Sequence, residues 1–276
     1  MGEFAARYGP WAVVTGAAQG VGLAFAEALV ARGVGVVMVD VSPEVAAAAA
    51  AVGDETVARP LVADLGDPSW IEALDAECAG LEVGLAVANA GVAYVGRFLG
   101  MDAARRRAIL EVNCAATADL AAWALPAMVE RGRGGLMSTS SGSALSGTGG
   151  VALYSATKAY GVNLMEAIGW ELKGTGVHTL AVVAPAMNTP MLRSSGFDEA
   201  RAFAPPVAPR QVVEGALDAL GGPTRWLADE SLEFAATVDR AERVDMISEG
   251  TTAMYPGTFE VSGGPGNVFG NDQVSP

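Results

Sequence analysis

Short apolar runs alternate along the chain with longer amphipathic stretches. The runs predict strands near residues 12–15, 34–39, 60–63, 85–88, 135–139, 177–183 and 225–227, and helical patterns fill each interval. Continuous apolar strands separated by helices of about ten or more residues require a parallel sheet covered on both faces, joined by right-handed crossovers. The expected fold class is therefore α/β, a doubly wound parallel sheet of about seven strands with helices on both faces.

Two helix starts carry their own caps. Ser42-Pro43-Glu44 and Asp67-Pro68 each set a capping side chain before a proline at the first helical position, which leaves Asp40 and Asp64 free for other work. Residues 189–209 hold Pro190, Pro205, Pro206 and Pro209 around Met191, Leu192, Phe197 and Phe203, the composition of a partly apolar lid. Residues 1–256 are expected to form one domain, and the Gly-rich stretch 257–276 a tail, either disordered or lying on a neighbouring subunit.

Composition narrows the function. In 276 residues, 51% are hydrophobic and the net charge is −14, a balance that repels nucleic-acid backbones and anionic lipid. Neither a nucleic acid nor a membrane is expected as partner. The most apolar long window, 20–41, is broken by Glu27, Arg32 and glycines, and reads as helix, turn and strand. Residues 1–10 lack the basic and apolar regions of a secretion signal, and position 6 is Ala where a myristoylation signal has Ser or Thr. Cys78 and Cys114 fall in predicted helices without metal-ligand spacing, so no disulfide scaffold and no metal site are expected, and a reducing cytoplasm is the expected location.

Against that background one pair of residues stands out. The chain has two lysines, Lys158 and Lys173, and fifteen arginines, and Lys158 stands four residues after Tyr154. Five tyrosines and two lysines placed at random give roughly 0.04 such pairs. A helix over 153–173 brings the two side chains onto one face, about 5–6 Å apart at Cβ. A tyrosine acting as base near neutrality needs its pKa lowered by about 3 units, roughly 4 kcal/mol. A unit positive charge about 4 Å away supplies about that at an effective dielectric near 20. Lys158 is thus expected to lower the pKa of Tyr154.

A nucleotide loop is the second signal. Thr15-Gly16-Ala17-Ala18-Gln19-Gly20-Val21-Gly22 follows the first strand and opens a helix. Glycine at 16 permits a tight turn, at 20 a close approach to a pyrophosphate, and at 22 close packing, while the helix N-terminus offers free N–H groups. Such a pattern alone is weak in a chain with 35 glycines. Asp40 strengthens it: at the end of the second strand its carboxylate can accept both adenosine ribose hydroxyls and would repel a 2′-phosphate. No Lys or Arg occupies 17–19 or 41–42, so NAD(H) is favoured over NADP(H), although Asp40 also fits a solvated turn carboxylate.

Taken in order, Thr15-Gly16 with Gly20 and Gly22, Asp64-Leu65, Asn89-Ala90-Gly91, Asn113, Ser140-Ser141, and Tyr154 with Lys158 make residues 10–230 resemble the short-chain dehydrogenase/reductase family in its compact branch, a Rossmann fold. The resemblance implies that Ser141 hydrogen-bonds the substrate oxygen while Tyr154 exchanges a proton with it and hydride passes to or from the nicotinamide. It implies that Lys158 also holds the nicotinamide ribose and that Asn113 holds a water relaying protons to it. Gly16, Gln19, Gly20, Val21, Gly22, Asp40, Asp64, Leu65, Asn89, Gly91, Tyr154, Lys158 and Thr189 are the implied cofactor contacts, with Asp64 on the adenine amino group and Thr189 on the carboxamide.

Two motifs depart from the family pattern: Ala88 stands where a second Asn is usual, and Ala184-Pro185 replaces Pro-Gly, which loosens the assignment of Thr189. The expected substrate is a small-molecule alcohol or ketone, uncharged and fairly apolar; Arg193 and Arg201 in the lid would instead suit an acidic one. His178 is expected to be a packing residue. Residues 162–165 with Trp170 suggest a homodimer or homotetramer contact. An idle nucleotide-binding sensor and a non-redox epimerase or dehydratase are the competing readings.

Overall fold

A computed structural model describes residues 2–202, 204–256 and 258. In chain order its elements are α1 (Glu3–Tyr8), β1 (Trp11–Thr15), α2 (Gly20–Ala31), β2 (Gly35–Asp40), α3 (Val45–Val52), β3 (Ala58–Val62), α4 (Trp70–Glu77), β4 (Val83–Ala88), α5 (Ala103–Leu110), a π turn (Glu111–Ala115), α6 (Ala116–Arg131), β5 (Gly134–Ser141), α7 (Ala152–Glu171), β6 (Val177–Ala184), α8 (Pro190–Ser194), α9 (Pro209–Ala219), β7 (Arg225–Leu227), α10 (Glu230–Thr237) and α11 (Arg240–Ala253).

The seven strands form one sheet in the order β3-β2-β1-β4-β5-β6-β7, and every pairing is parallel. Each strand lies within two residues of its predicted ends. Strand residues alternate between two cores. Val14, Leu85, Met137 and Leu180 face Phe25, Leu29, Val213 and Leu217 of α2 and α9. Val13, Ala86, Leu136 and Ala181 face Leu74, Leu120, Met128 and Met165 of α4, α6 and α7. Because both faces are covered, the strands need no polar positions, which is why they read as unbroken apolar runs. Strand order reverses between β1 and β4, and the crevice at that reversal is where a doubly wound sheet takes its ligand.

Several expectations require correction. The helices after the two Pro-containing turns begin at Val45 and Trp70, later than expected. Ser42 Oγ reaches only the N–H of Glu44, at 3.2 Å, and Asp67 Oδ1 only that of Ser69, at 3.0 Å. Both close a side-chain turn before the helix rather than cap it. The helix holding Asn113 is interrupted by the π turn, so residues 103–131 are not one regular α-helix. That apolar run of 29 residues has the length and hydropathy of a membrane span, yet its buried face packs into the core through Leu120, Ala121, Ala124 and Met128. Val162 and Met165, expected at a subunit contact, are core residues.

Three helices had no sequence signal in the reading above. α1 spans under two turns and is anchored by Tyr8, which is 3% exposed and shares a 2.8 Å hydrogen bond with His178 Nδ1. His178 is thus a packing residue. α10 and α11 follow β7, capped by Asp229 and Asp239. The lid contains α8 and a 3-10 turn at Glu199–Arg201. Phe203 and, apart from residue 258, the stretch expected as a tail lie outside the described residues.

Candidate active site

The loop between β1 and α2 is shaped by what its glycines permit. Gly16 and Gly20 adopt φ of 66° and 61°, which an L side chain rarely takes. A Cβ at Gly22 would lie 2.0 Å from the Gly16 carbonyl oxygen and 2.8 Å from Asn89 Nδ2. Asn89 explains that crowding: its amide donates to the carbonyls of Thr15 at 3.0 Å and Gly16 at 3.3 Å, tying the end of β4 to the loop. Thr15 Oγ1 accepts in return from the N–H groups of Asn89 and Ala90, each at 3.1 Å. Gln19 precedes the first turn of α2, and Val21 packs against the core beneath it.

Asp40 is tied to the same loop. Its Oδ2 accepts the N–H of Ala18 at 2.9 Å and its Oδ1 that of Ser42 at 2.9 Å. It is therefore an anchored carboxylate, and each oxygen keeps a lone pair facing outward. Its own carbonyl accepts the N–H of Ala63 at 2.9 Å, which brings the exposed Asp64 alongside. Asp64 Oδ1 accepts the N–H of Gly66 at 2.8 Å, and Leu65 packs on the core under the sheet edge. Thr189 lies across the loop: a Cβ at Gly20 would sit 3.4 Å from Thr189 Cγ2, and its hydroxyl caps α8 by accepting from Leu192 N at 3.2 Å.

The second half of the site lies at the ends of β4 and β5. Lys158 is 9% exposed, and its Nζ donates to the Thr139 carbonyl at 2.8 Å and lies 5.6 Å from the Tyr154 ring centroid. A Cβ at Gly91 would be 3.1 Å from Nζ and 3.4 Å from Asn113 Oδ1, so a larger residue there would press on the lysine tip between the two side chains. Asn113, at the centre of the π turn, spends its amide on structure. Nδ2 donates to Val92 O at 3.0 Å and Thr157 Oγ1 at 2.9 Å, and Oδ1 accepts from Val92 N at 2.8 Å. One lone pair of Oδ1 remains for the water expected there.

Ser141 ends β5, and its hydroxyl stands near enough to the Tyr154 phenol to lower the phenol's pKa. Ser143 supports it, donating to Ser141 Oγ through both its hydroxyl, at 3.1 Å, and its N–H, at 3.3 Å. Those two donors leave the Ser141 proton free to point at Tyr154.

Burial governs the electrostatics. The Tyr154 phenol is pushed up to about 12 by desolvation, against the opposing effect of Ser141. The expected lowering by Lys158 is not found. Burial pulls Lys158 itself down to about 8, and its ammonium is turned to the Thr139 carbonyl. Cys114, whose thiol burial pushes up, stands near enough to favour the charged lysine.

The sequence-predicted residues thus gather in two groups beyond the carboxyl ends of the strands, joined through the segment from Asn89, bonded to the loop, to Gly91, beside Lys158 and Asn113. Sequence reasoning missed Thr139, Ser143 and Thr157, which touch the expected residues rather than act as them. Thr157 gave a signal, a β-branched hydroxyl inside the Tyr154–Lys158 helix turn.

Residues 10–200 match the family model described as short chain dehydrogenase. The chain is 32% identical over 201 residues to the inactive hydroxysteroid dehydrogenase-like protein 1 of Homo sapiens, covering 69% of this chain and 60% of that protein. The chain therefore accounts for about 60% of the length of that relative. It is 28% identical over 251 residues to the 7beta-hydroxysteroid dehydrogenase of Clostridium sardiniense, covering 90% of this chain and 96% of the other. Among solved structures, a short-chain dehydrogenase from Sphingobium yanoikuyae in complex with NADPH superposes with a TM-score of 0.73 at 27% identity, over 88% of this chain and 95% of that one. On fold, motif order and these matches, the chain belongs to the short-chain dehydrogenase family.

Proposed function

We propose that the chain interconverts a secondary alcohol and a ketone on a fairly apolar small molecule, with NAD(H) as the redox partner. The observation that carries this reading is the buried ammonium of Lys158 beside the Tyr154 ring, with the Ser141 hydroxyl near enough to the phenol to lower its pKa. The nucleotide loop fits a dinucleotide: two positive-φ glycines, a helix N-terminus, and a carboxylate held in place with free lone pairs. Bound nicotinamide supplies or takes the hydride. Ser141 positions the substrate oxygen. Tyr154, neutral at pH 7 with a pKa of about 12, holds the proton that the oxygen receives as the ketone is reduced. Lys158 keeps positive charge beside the phenolate left behind. In the reductive direction Tyr154 needs no lowered pKa at the outset.

Asp40 supports NAD(H) over NADP(H), and the similarity to a hydroxysteroid dehydrogenase supports a bulky apolar substrate. Thermal shift with NADH and NADPH, then absorbance at 340 nm across a ketone panel, tests both. Stronger use of NADPH would overturn the cofactor assignment, and near-normal turnover by Tyr154→Phe would overturn the chemistry.

One observation favours the idle sensor: Tyr154 is stabilised as the neutral phenol and Lys158 is turned to Thr139. Tight NADH binding with no absorbance change across the panel would select it. Self-association is proposed across the face of α7 that leaves Tyr160 37% and Trp170 69% exposed, and light scattering with a Trp170→Glu variant tests it.

A further inference from the structure

A second tyrosine lies near enough to Tyr154 to act on it electrostatically. Tyr255, two residues beyond the end of α11, is 9% exposed, and its ring meets Phe197 of the lid edge-on at 5.9 Å and 70°. The backbone joins the same two segments, since Asp198 N donates to Met254 O at 2.8 Å. α11 is in turn fastened to the loop that follows Ser141. Arg243 Nη1 donates to Leu145 O at 2.9 Å, and Ser248 Oγ accepts from Gly149 N at 2.8 Å. The stretch expected as a lid and the loop that follows Ser141 are therefore both fastened to α11 and its end. The two phenols are close enough that a negative charge on Tyr255 opposes one on Tyr154. Among the described residues none hydrogen-bonds the Tyr255 hydroxyl, and its oxygen is not sealed from open space.

A phenol in this setting is apolar over its ring and unsatisfied at its tip, and such a hydroxyl normally finds a partner. The oxygen that undergoes reaction is already served by Ser141 and Tyr154. We propose that Tyr255 determines specificity by hydrogen-bonding a second oxygen of the substrate, so that the site selects apolar hydroxyketones and diols over molecules with a single oxygen. This rests on the alcohol–ketone reading of the site. A substrate that displaces water from the phenol without offering a second oxygen leaves it unpaired, and a site built around a polar group discriminates most strongly against the analogue without it.

Tyr255→Phe keeps the ring and its contact with Phe197, so the fold is preserved, and an unchanged melting temperature checks this. With NADH in excess, kcat and KM are measured for pairs of alicyclic ketones that differ by one hydroxyl. The wild type is expected to favour the hydroxyketone about tenfold, the worth of one neutral hydrogen bond, and Tyr255→Phe to lose that preference through KM with kcat unchanged. Equal losses on both members of a pair, or an undiminished preference, would overturn the proposal, as would a wild type without any preference. Tyr154→Phe separates the two levels: turnover surviving there removes the alcohol–ketone reading, whereas turnover lost there with Tyr255→Phe unchanged removes only the role of Tyr255. If the wild type turns over no member, thermal stabilisation of the NADH-loaded protein by the hydroxyketone must be larger in wild type than in Tyr255→Phe, and equal stabilisation overturns the proposal.

Discussion

The ammonium of Lys158 is held by the main-chain carbonyl of Thr139 at 2.8 Å, so the end of β5 fixes the cation beside the Tyr154 ring. The position is energetically unfavourable. Burial has moved the group from 10.5 to about 8. At about 1.4 kcal/mol per unit, the shift costs roughly 3 kcal/mol of stability at neutral pH, as an upper bound. Lys158→Met removes that cost while leaving the Thr139 carbonyl without its donor, which returns about 1–3 kcal/mol. Its melting temperature is expected to equal or exceed that of wild type while turnover at 340 nm disappears. A large fall in melting temperature would contradict the strain assigned to this lysine.

The same shift sets a pH window. The folded pKa of Lys158 lies below its unfolded value, so between about 8 and 10.5 the unfolded chain binds more protons, and the stability difference between wild type and Lys158→Met moves in favour of wild type. Activity moves the opposite way. The ammonium is lost as pH rises through about 8, whereas Tyr154 stays neutral to about 12. Ketone reduction is therefore expected to decline above pH 8 with one apparent ionisation, read from kcat/KM against pH. A profile flat to pH 10 would show that the lysine charge is not used.

Asp40 offers a test at the other end of the site. Its carboxylate accepts from both Ala18 N and Ser42 N, so asparagine keeps one of these bonds and turns its NH2 toward the other donor, which loosens the loop as well as removing the charge. Asp40→Asn is expected to weaken NADH by about tenfold, one charge-assisted hydrogen bond, and to relieve the repulsion of a 2′-phosphate so that NADPH gains. The ratio of kcat/KM for the two coenzymes measures it. An unchanged ratio would return Asp40 to the role of a turn carboxylate.

Legibility in the sequence followed the distance over which each cause acts. The strands were legible because a sheet covered on both faces must be apolar at every position, as in Val83–Ala88, where all six residues are buried. The Tyr154–Lys158 pair was legible because one helix turn fixes it. What escaped depends on contacts between distant segments. α1 is held by a bond from Tyr8 to His178, and α11 folds back onto Leu145 and Gly149. The pKa of Tyr154 also escaped, for the charge argument treated two side chains in isolation, whereas the folded site desolvates both and turns the ammonium to a carbonyl no local pattern reveals.

The π turn provides the last prediction. Asn113 makes three hydrogen bonds with its amide, two to Val92 and one to Thr157, and Val92 follows the glycine that fits between Asn113 and Lys158. Asn113→Ala leaves the Val92 N–H and carbonyl without these partners and removes the donor to Thr157. At about 1–3 kcal/mol for each buried group left unsatisfied, with water relieving part of it, the loss is about 2–4 kcal/mol. For a chain of this size that corresponds to a fall in melting temperature of roughly 5–15 °C. Asn113→Asp keeps the acceptor for Val92 N yet places a carboxylate against the Val92 carbonyl, so it is expected to destabilise at least as much at pH 7 and to recover as acid protonates it. Turnover is expected to fall more than the unfolded fraction explains, because Gly91 and Lys158 lose the wall that sets their spacing. An Asn113→Asp enzyme with wild-type stability and rate would show that the amide is not a brace.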